Sequence, residues 1–298
     1  MSGGRTVRLY LVEGSPTGVR IGEIINWSGQ VLAAPRSKIA DALKRPEVQK
    51  TGIYILAGDD PDNAHKLKVY VGEGDDVMER LKVHEKDPGK DFWTHAYIVT
   101  SKDSNLTKAH ARYLESRIIG LVKEANRAVL ANGNAPPSKL LPESDVADME
   151  FFLGQVEIVL PLLGLDALRA QGPSPSVATS NSAGSPTLEL ILSNDKHGVK
   201  AHAVENDGEV VVLAGSLATT HTFVSNTYAE QRAELIRDGS MVKVSDDHYQ
   251  FAKNVSFSTP SAAAAVVMNR NSNGRVEWRL KTTGQTLKEW QDAKLQSV

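Results

Sequence analysis

Tyrosine, arginine, histidine and glutamate side chains occur in this 298-residue chain at spacings that suit chemistry on a phosphate ester. Tyr54 closes a Gly-Ile-Tyr segment, and Tyr70 opens a Tyr-Val-Gly segment. Arg80 and His84 follow four residues apart, and Glu115 comes later. Hydrolysis of a phosphodiester needs a nucleophilic water, a proton acceptor, positive charge around phosphorus and usually a divalent metal. The five side chains supply a candidate for each need.

Each of these residue types suits one role. Tyr70 can accept a proton if nearby cations favour its phenolate, and Tyr54 on the neighbouring strand can orient the water or hold Tyr70. Arg80 and His84 project from one helix face and can reach a common phosphate, where Arg80 would stabilise charge and His84 would hydrogen-bond the nucleophile or the phosphate. Glu115 lies at the border of an apolar helical stripe and is a natural ligand for Mg²⁺.

Taken one at a time, these residues have ordinary structural explanations. A tyrosine in a strand most often packs in a core or at a sheet edge. Arg80 and His84 can form a solvated helix face, and Glu115 can pair with a basic residue of its own helix. The combined spacing, and no single residue, therefore supports the catalytic interpretation.

Two predicted helices carry the arginine, the histidine and the glutamate. The first is predicted over residues 76–86, with Asp75 or Asp76 as the cap at its start. The second is predicted over residues 105–127, with Asn105 as its cap. Around them, strand-type residues and turn signals predict a small sheet. Its expected strands are residues 6–13 and 20–25, which form a hairpin, then 52–57, 68–72 and 96–100, with a polar insert at 58–66 and further helix or strand at 148–154 and 155–163.

The tyrosine segments and the Arg-x-x-x-His pair resemble the GIY-YIG nuclease family over roughly residues 51–137, less than a third of the chain. The first triplet is intact. The second has Val71 where the family name has isoleucine, a change that preserves the strand. The resemblance implies a small mixed sheet flanked by helices, which cleaves nucleic acid with a single divalent metal on the helix glutamate, here Glu115.

Family members also use an asparagine after that helix. Asn132 is the better match and Asn126 is the alternative, while either can be a simple turn residue near Gly133. With this residue added, the resemblance assigns catalytic roles to Tyr54, Tyr70, Arg80, His84, Glu115 and Asn132, and it places Mg²⁺, or Mn²⁺ as its substitute, on Glu115.

Residues 171–187 contain three prolines and almost nothing to bury, which predicts a flexible linker. We therefore expect a first domain at 1–170, with an N-terminal hairpin extension, and a second, smaller α+β domain at 188–298. The predicted fold class of the whole chain is α+β. In the second domain we expect strands at 188–192, 199–204 and 209–213, a helix at 229–238 ended by Gly239, an alanine-rich helix after Ser258, and an Asn273-Gly274 turn that feeds a strand.

The segment from Pro260 to Trp278 resembles a domain of unassigned function that is often appended to GIY-YIG nucleases, and more loosely a small module associated with restriction–modification proteins. This resemblance implies target recognition or contact with a protein partner. The alternative is a domain that only adds stability, with Trp278 in its core.

Composition limits the remaining possibilities. The chain has no cysteine, which excludes disulfides, thiolate nucleophiles and cysteine-based metal sites. The formal net charge is −2, so positive charge for nucleic-acid binding must be local. Neither a signal sequence nor an apolar run near the roughly 18 residues that span a bilayer is evident, so we expect a cytoplasmic protein without a membrane partner. The candidates for a local basic surface, or for a solvated face mixed with acids, are Lys82, Lys86, Lys90, Lys108, Arg112 and Arg117.

These observations lead to the hypothesis of a magnesium-dependent endonuclease that hydrolyses DNA, in defence against foreign DNA or in repair. A double-strand cut by one site per chain would need a homodimer or two successive nicks. The main alternative is a catalytically silent protein on the same fold that binds nucleic acid or a partner. An enzyme acting on a different phosphate ester is a third, less favoured reading.

Overall fold

The structure, a computed structural model, describes residues 4–61, 63–133, 141–169, 188–206, 209–223 and 225–296. The chain divides into two units, Gly3–Ala170 and Gln171–Val298. Helices and strands are mixed in both units, which confirms the α+β class. The predicted linker at 171–187 lies outside the described residues.

A mixed sheet of seven strands forms the centre of the first unit. The strands are β1 (Val7–Leu11), β2 (Arg20–Ile24), β3 (Gly29–Pro35), β4 (Gly52–Asp60), β5 (Asn63–Gly74), β6 (His95–Ser101) and β7 (Ala128–Leu130). They lie in the order β1-β2-β3-β6-β4-β5-β7. Neighbouring strands are antiparallel except for β5 and β7, which are parallel.

The N-terminal hairpin and the three central strands agree with the sequence prediction, but two strands were not predicted. β3 is a continuous buried run, and a run of this kind has no alternation to mark it as a strand. β7 has only three residues. The expected polar insert at 58–66 is also largely wrong, because β4 and β5 continue through most of it as a long antiparallel pair.

Four helices cover the sheet: α1 (Ile39–Ala42), α2 (Val77–Glu85), α3 (Lys108–Ala125) and α4 (Glu143–Leu162). α2 begins at Asp76, whose carboxylate accepts a hydrogen bond from the Glu79 amide at 3.4 Å. Asp76 is therefore the cap, and Asp75 is not. α4 is one helix, although the sequence pattern suggested two separate segments.

The prediction that Asn105 caps α3 is wrong. The cap is Thr107, whose hydroxyl accepts a hydrogen bond from the His110 amide while the His110 ring accepts one from the Thr107 amide. This reciprocal pair satisfies two backbone donors at the helix start. Asn105 lies before the helix and is held by the Asp103 carboxylate.

Side chains of β4 alternate between two cores on opposite faces of the sheet. Ile53 and Ile55 pack in a core that includes Leu114 of α3. Tyr54 packs on the other face, in a core that includes Leu81 of α2. The two helices that carry the candidate residues thus pack on opposite faces, so α2 and α3 side chains can meet only around the end of β5.

The second unit contains two antiparallel sheets. The strands are β8 (Leu188–Asn194), β9 (Val199–Asn206), β10 (Glu209–Val212), β11 (Leu217–Thr219), β12 (Met241–Lys243), β13 (His248–Phe251), β14 (Val255–Phe257) and β15 (Arg279–Leu280). Their orders are β14-β10-β9-β8-β15 and β11-β13-β12. The helices are α5 (Ala229–Arg237), α6 (Pro260–Met268), α7 (Gly274–Glu277) and α8 (Leu287–Gln296).

The alanine-rich helix α6 is the centre of this unit, since every residue from Ala262 to Met268 is buried. Trp278 is fully buried, and its indole N–H donates to the Pro260 carbonyl at 3.0 Å. The prediction that an Asn273-Gly274 turn feeds a strand is only partly right: Asn273 caps the one-turn helix α7, and the strand β15 follows that helix. A β-carbon on Gly274 would lie 2.1 Å from the Pro260 carbonyl, so a glycine permits this close approach.

Among the described helices, none has the length and apolarity that crossing a bilayer requires.

Candidate active site

Two glycines make room for the centre of the site. Tyr54 on β4 pairs in register with Gly72 on β5. A β-carbon on Gly72 would lie 2.3 Å from the Tyr54 hydroxyl oxygen, and one on Gly52 would lie 2.4 Å from the Val99 carbonyl oxygen. The Gly-Ile-Tyr and Tyr-Val-Gly segments are therefore two halves of one packing arrangement, in which Tyr54 lies across Gly72.

Tyr54 and His84 form a buried hydrogen-bonded pair, with the Tyr54 hydroxyl 2.6 Å from His84 Nε2. Tyr54 is fully buried and His84 is 4% exposed. Burial raises the pKa of Tyr54 above its ordinary value, and it lowers the pKa of His84 to about 4, with help from the Lys90 and Arg80 charges. Both groups are therefore neutral near pH 7, and the Tyr54 hydroxyl meets His84 instead of solvent.

Tyr70 is the more accessible of the two tyrosines. It is half-buried, and its ring centroid lies 6.3 Å from that of Tyr54 and 5.1 Å from that of His84. Lys90 Nζ lies 4.5 Å from the Tyr70 ring centroid and 3.0 Å from Asp87 Oδ2. A molecule that approaches these side chains from solvent would meet Tyr70 before it met Tyr54.

Arg80 connects the tyrosines with the carboxylates of the site. The nearby Tyr54 hydroxyl raises the pKa of the Arg80 guanidinium, and Tyr70 and Glu73 act in the same direction. Arg80 also lowers the pKa of Glu115, against the effect of burial. The side chain is itself exposed, so it can contact a bound anion.

Glu115 lies beside a second carboxylate, Glu73, which sequence reasoning missed. Burial and the Glu73 charge raise the pKa of Glu115 to about 7. Glu73 Oε1 accepts from Arg112 Nε at 3.3 Å, whereas Glu73 Oε2 is buried and has no hydrogen-bond partner among the described residues. The available signal was weak: a glutamate that directly follows the Tyr-Val-Gly segment.

These two carboxylates are the candidate ligands for a metal ion at the site. No group of three or more His, Asp or Glu side chains suited to a metal ion is found within the described ranges. Mg²⁺ commonly uses only one or two protein carboxylates and completes its coordination with water or substrate phosphates. The unpartnered Glu73 Oε2 and the elevated pKa of Glu115 fit a divalent cation bound in this way.

Asn132 is tied to the strand that carries Tyr70. Its Oδ1 accepts from the Val71 amide at 2.9 Å, and its Nδ2 donates to the Val71 carbonyl at 2.7 Å. Both hydrogen-bonding groups of the side chain thus hold the backbone between Tyr70 and Gly72. Asn126, the alternative, ends α3 in the left-handed conformation with φ of 49°. The geometry places Asn132 at the site and Asn126 at a helix end.

The six candidate residues for a basic surface are mostly neutralised. Lys86 has no ion pair with another described residue. The other five each contact a carboxylate, in the pairs Lys82–Glu79, Lys90–Asp87, Lys108–Asp75, Arg112–Glu73 and Arg117–Glu150. This pattern favours the solvated, mixed-charge face over a continuous basic surface.

Comparison with known proteins gives information on the second unit alone. A family profile described as "Domain of unknown function (DUF4357)" matches residues 191–291. The matched region includes the whole of α6 and Trp278. The comparison with curated proteins and the comparison with solved structures gave no match.

Proposed function

We propose that the first unit is a divalent-metal-dependent endonuclease of the GIY-YIG type, which hydrolyses phosphodiester bonds in DNA during defence against foreign DNA or repair. The observation that carries the proposal is the meeting of Tyr54, Tyr70, Arg80 and His84 with Glu115 around the end of β5. These side chains come from two strands and from two helices on opposite faces of the sheet. Core packing alone does not require a carboxylate and a guanidinium at that end.

The exposure of each residue would decide its role in the reaction. Tyr70, in its phenolate form with Lys90 and Arg80 beside it, would take a proton from the attacking water as the water oxygen bonds to phosphorus, and the electron pair of the breaking bond would pass to the leaving oxygen. The bond between phosphorus and the leaving oxygen then breaks. Arg80 stabilises the charge that develops on the phosphate oxygens. Tyr54 and His84 are positioning residues, since their buried hydrogen bond fixes the surface against which Tyr70 packs.

Glu115 and Glu73 would hold the divalent cation. When bound, such a cation supplies Lewis-acid stabilisation of charge on the phosphate and the leaving oxygen. Asn132 keeps the backbone at Val71 in place, and so maintains the position of Tyr70 relative to Glu73.

The test is cleavage of supercoiled plasmid and of branched and single-stranded oligonucleotides, with Mg²⁺ or Mn²⁺ against EDTA. We expect metal-dependent cutting by the parent protein and none by Glu115→Ala, with DNA binding mostly retained. Glu124→Ala is the matched control, because Glu124 is an exposed carboxylate on the same helix. Equal activity of Glu115→Ala and the parent would remove Glu115 from the mechanism.

A second candidate function is a non-cleaving protein that binds nucleic acid or a partner on the same fold. The burial of Tyr54 and His84 favours it, because a buried hydrogen-bonded pair can be retained for packing alone. The same experiment separates the two candidates. DNA binding without cutting under every metal condition would support the binding protein.

A further inference from the structure

Three aromatic rings lie together in the second unit. His197 and His221 are stacked, with centroids 5.1 Å apart and ring planes at 18°. Phe223 packs edge-on against both rings, at 4.6 Å from His221 and 5.7 Å from His197. These three separations form a triangle that places Phe223 beside the stacked pair. His221 is exposed, while His197 and Phe223 are half-buried.

Hydrogen bonds hold the backbone that carries two of these rings. Asn269 Nδ2 donates to the His221 carbonyl at 3.0 Å and to the Thr222 hydroxyl at 3.4 Å. The His197 carbonyl is 2.9 Å from His248 Nε2, and the His197 amide donates to Asn194 Oδ1 at 3.3 Å. The described residues around His221 belong to no helix or strand, yet backbone hydrogen bonds hold the chain on either side: the Thr220 amide donates to the Asp247 carbonyl at 2.8 Å, and the Asn271 amide donates to the Ser225 carbonyl at 3.0 Å. The chain therefore keeps an exposed ring in a defined position.

Positive charge lies beside the rings. The Arg270 guanidinium is 6.0 Å from the Phe223 centroid and also binds Glu277 at 2.6 Å. Lys196 is exposed and precedes His197 in the chain. Aromatic faces combined with nearby cations are the usual means by which proteins hold single-stranded nucleic acid, since bases stack on the rings and phosphates approach the cations.

We propose that this stacking platform, formed by His197, His221 and Phe223, binds unpaired bases of a single-stranded nucleic acid, with Arg270 near the phosphates. An exposed aromatic ring selects unpaired bases because the faces of paired bases are covered by their neighbours in a duplex. The inference rests on the proposed function, since it takes nucleic acid as the substrate. It assigns to the second unit the recognition of single-stranded stretches.

The experiment compares three fluorescent probes with the full chain in EDTA, where binding is measured without cleavage. The probes are a single strand of mixed sequence, a fully abasic strand of equal length, and the corresponding duplex. We expect the parent to bind the mixed-sequence strand most tightly. His221→Ala should weaken that binding roughly 5- to 150-fold, the range for loss of one stacked base, and should leave binding of the abasic strand unchanged.

Two further variants separate stacking from other effects. His221→Phe keeps a ring and should restore binding of the mixed-sequence strand. Leu295→Ala removes an exposed apolar side chain from α8, where 77% of Leu295 is exposed, and should bind like the parent. Thermal unfolding of each variant checks that the fold is retained.

Equal affinity of the parent for the mixed-sequence and abasic strands would overturn the proposal, whatever the behaviour of the variants. So would unchanged binding by a folded His221→Ala protein. The outcome is separate from that of the cleavage test. Base-dependent binding without cleavage would support the stacking platform and contradict the nuclease proposal. Cleavage without base-dependent binding would support the nuclease proposal and contradict the stacking platform.

Discussion

The buried pair of Tyr54 and His84 is the residue-scale feature on which the site depends. Removing the Tyr54 hydroxyl would take away the hydrogen-bond partner of His84 Nε2. The other ring nitrogen, His84 Nδ1, is buried and already has no partner among the described residues. An unsatisfied buried group of this kind costs about 1–3 kcal/mol. We therefore expect Tyr54→Phe to lower the free energy of unfolding by that amount in denaturant titrations.

Tyr97→Phe provides the control for that measurement. Tyr97 is also a buried tyrosine of the same sheet, but its hydroxyl makes no hydrogen bond to another described residue. Its substitution should cost less than that of Tyr54. Equal losses from the two variants would mean that the hydrogen bond to His84 contributes nothing to stability.

Glu115 gives a prediction about pH. Its pKa is raised from 4.5 to about 7 in the folded protein, so the folded state binds more protons than the unfolded state between these values. The stabilisation is complete below pH 4.5 and is lost as pH rises through about 7. At pH 8 we expect Glu115→Gln to be more stable than the parent, on the order of 1 kcal/mol after allowance for solvent screening.

Thermal melts at pH 5 and pH 8 would check this, with Glu124→Gln as the control on the same helix. Addition of Mg²⁺ at pH 8 should raise the melting temperature of the parent and not that of Glu115→Gln, because the cation binds the ionised carboxylate. A parent that is equally stable at pH 8 with and without Mg²⁺ would contradict the metal assignment without any reference to activity.

Residue types and spacing were enough to select Tyr54, Tyr70, Arg80, His84 and Glu115 as a group. They did not predict that Tyr54 would be sealed from solvent or that Glu73 would lie beside Glu115. Both facts depend on which strand residues face which helix. That relation follows from the register of β4 with β5 and from the packing of α3, neither of which the local sequence specifies.

The β4–β5 pair is the element that brings the two tyrosine segments together, and Gly72 is the position at which Tyr54 of β4 lies against the backbone of β5. A β-carbon there would lie 2.3 Å from the Tyr54 hydroxyl oxygen, a distance that side chains do not tolerate. We expect Gly72→Ala to destabilise the fold by about 1–3 kcal/mol through overpacking. It should also displace Tyr54 from His84, which the loss of that hydrogen bond in NMR spectra would reveal.

Gly120→Ala is the matched substitution. Gly120 lies within α3, and a β-carbon there would have no atom within 4 Å. Alanine in a helix interior is favoured over glycine by about 0.5–1 kcal/mol. The same chemical change should therefore stabilise the protein at one position and destabilise it at the other, and equal effects would refute the packing argument.

At the element scale, long periodic helices and the central strands could be predicted, while their limits and the short strands could not. Thr107 caps α3 because it forms a reciprocal pair of hydrogen bonds with His110, and it lies two residues after Asn105, the cap that the sequence predicted. β7 exists only because β5 offers a partner for it. The limits of the helices and the presence of the short strands therefore depend on tertiary contacts, which local propensity does not include.

For nucleic-acid binding by the whole molecule, the distribution of charge matters more than the net charge. The net charge is −2, and five of the six basic residues near α2 and α3 already contact carboxylates. Few of these six cations, which lie nearest to the candidate site, are thus available to replace the counterions of DNA. We expect duplex binding with a shallow dependence on salt, equivalent to about three phosphate contacts or fewer, since each contributes a slope of about −0.9.

Binding titrations across a range of salt concentrations measure that slope. Lys86→Ala should reduce its magnitude by about one, because Lys86 has no ion pair among the described residues, whereas Lys82→Ala should change it less. A steep slope in the parent protein would show that the ion pairs open on binding.

The side chain of Asn132 has one more consequence. Among the described residues, β7 pairs with β5 only as far as Val69, and an unpaired strand beyond such a point is the kind of sheet edge on which another chain can add a strand. At Val71 the asparagine amide occupies both the N–H and the C=O, as a continued strand would. A residue that the family resemblance assigns to catalysis would thereby also make this edge less able to accept a strand from another chain.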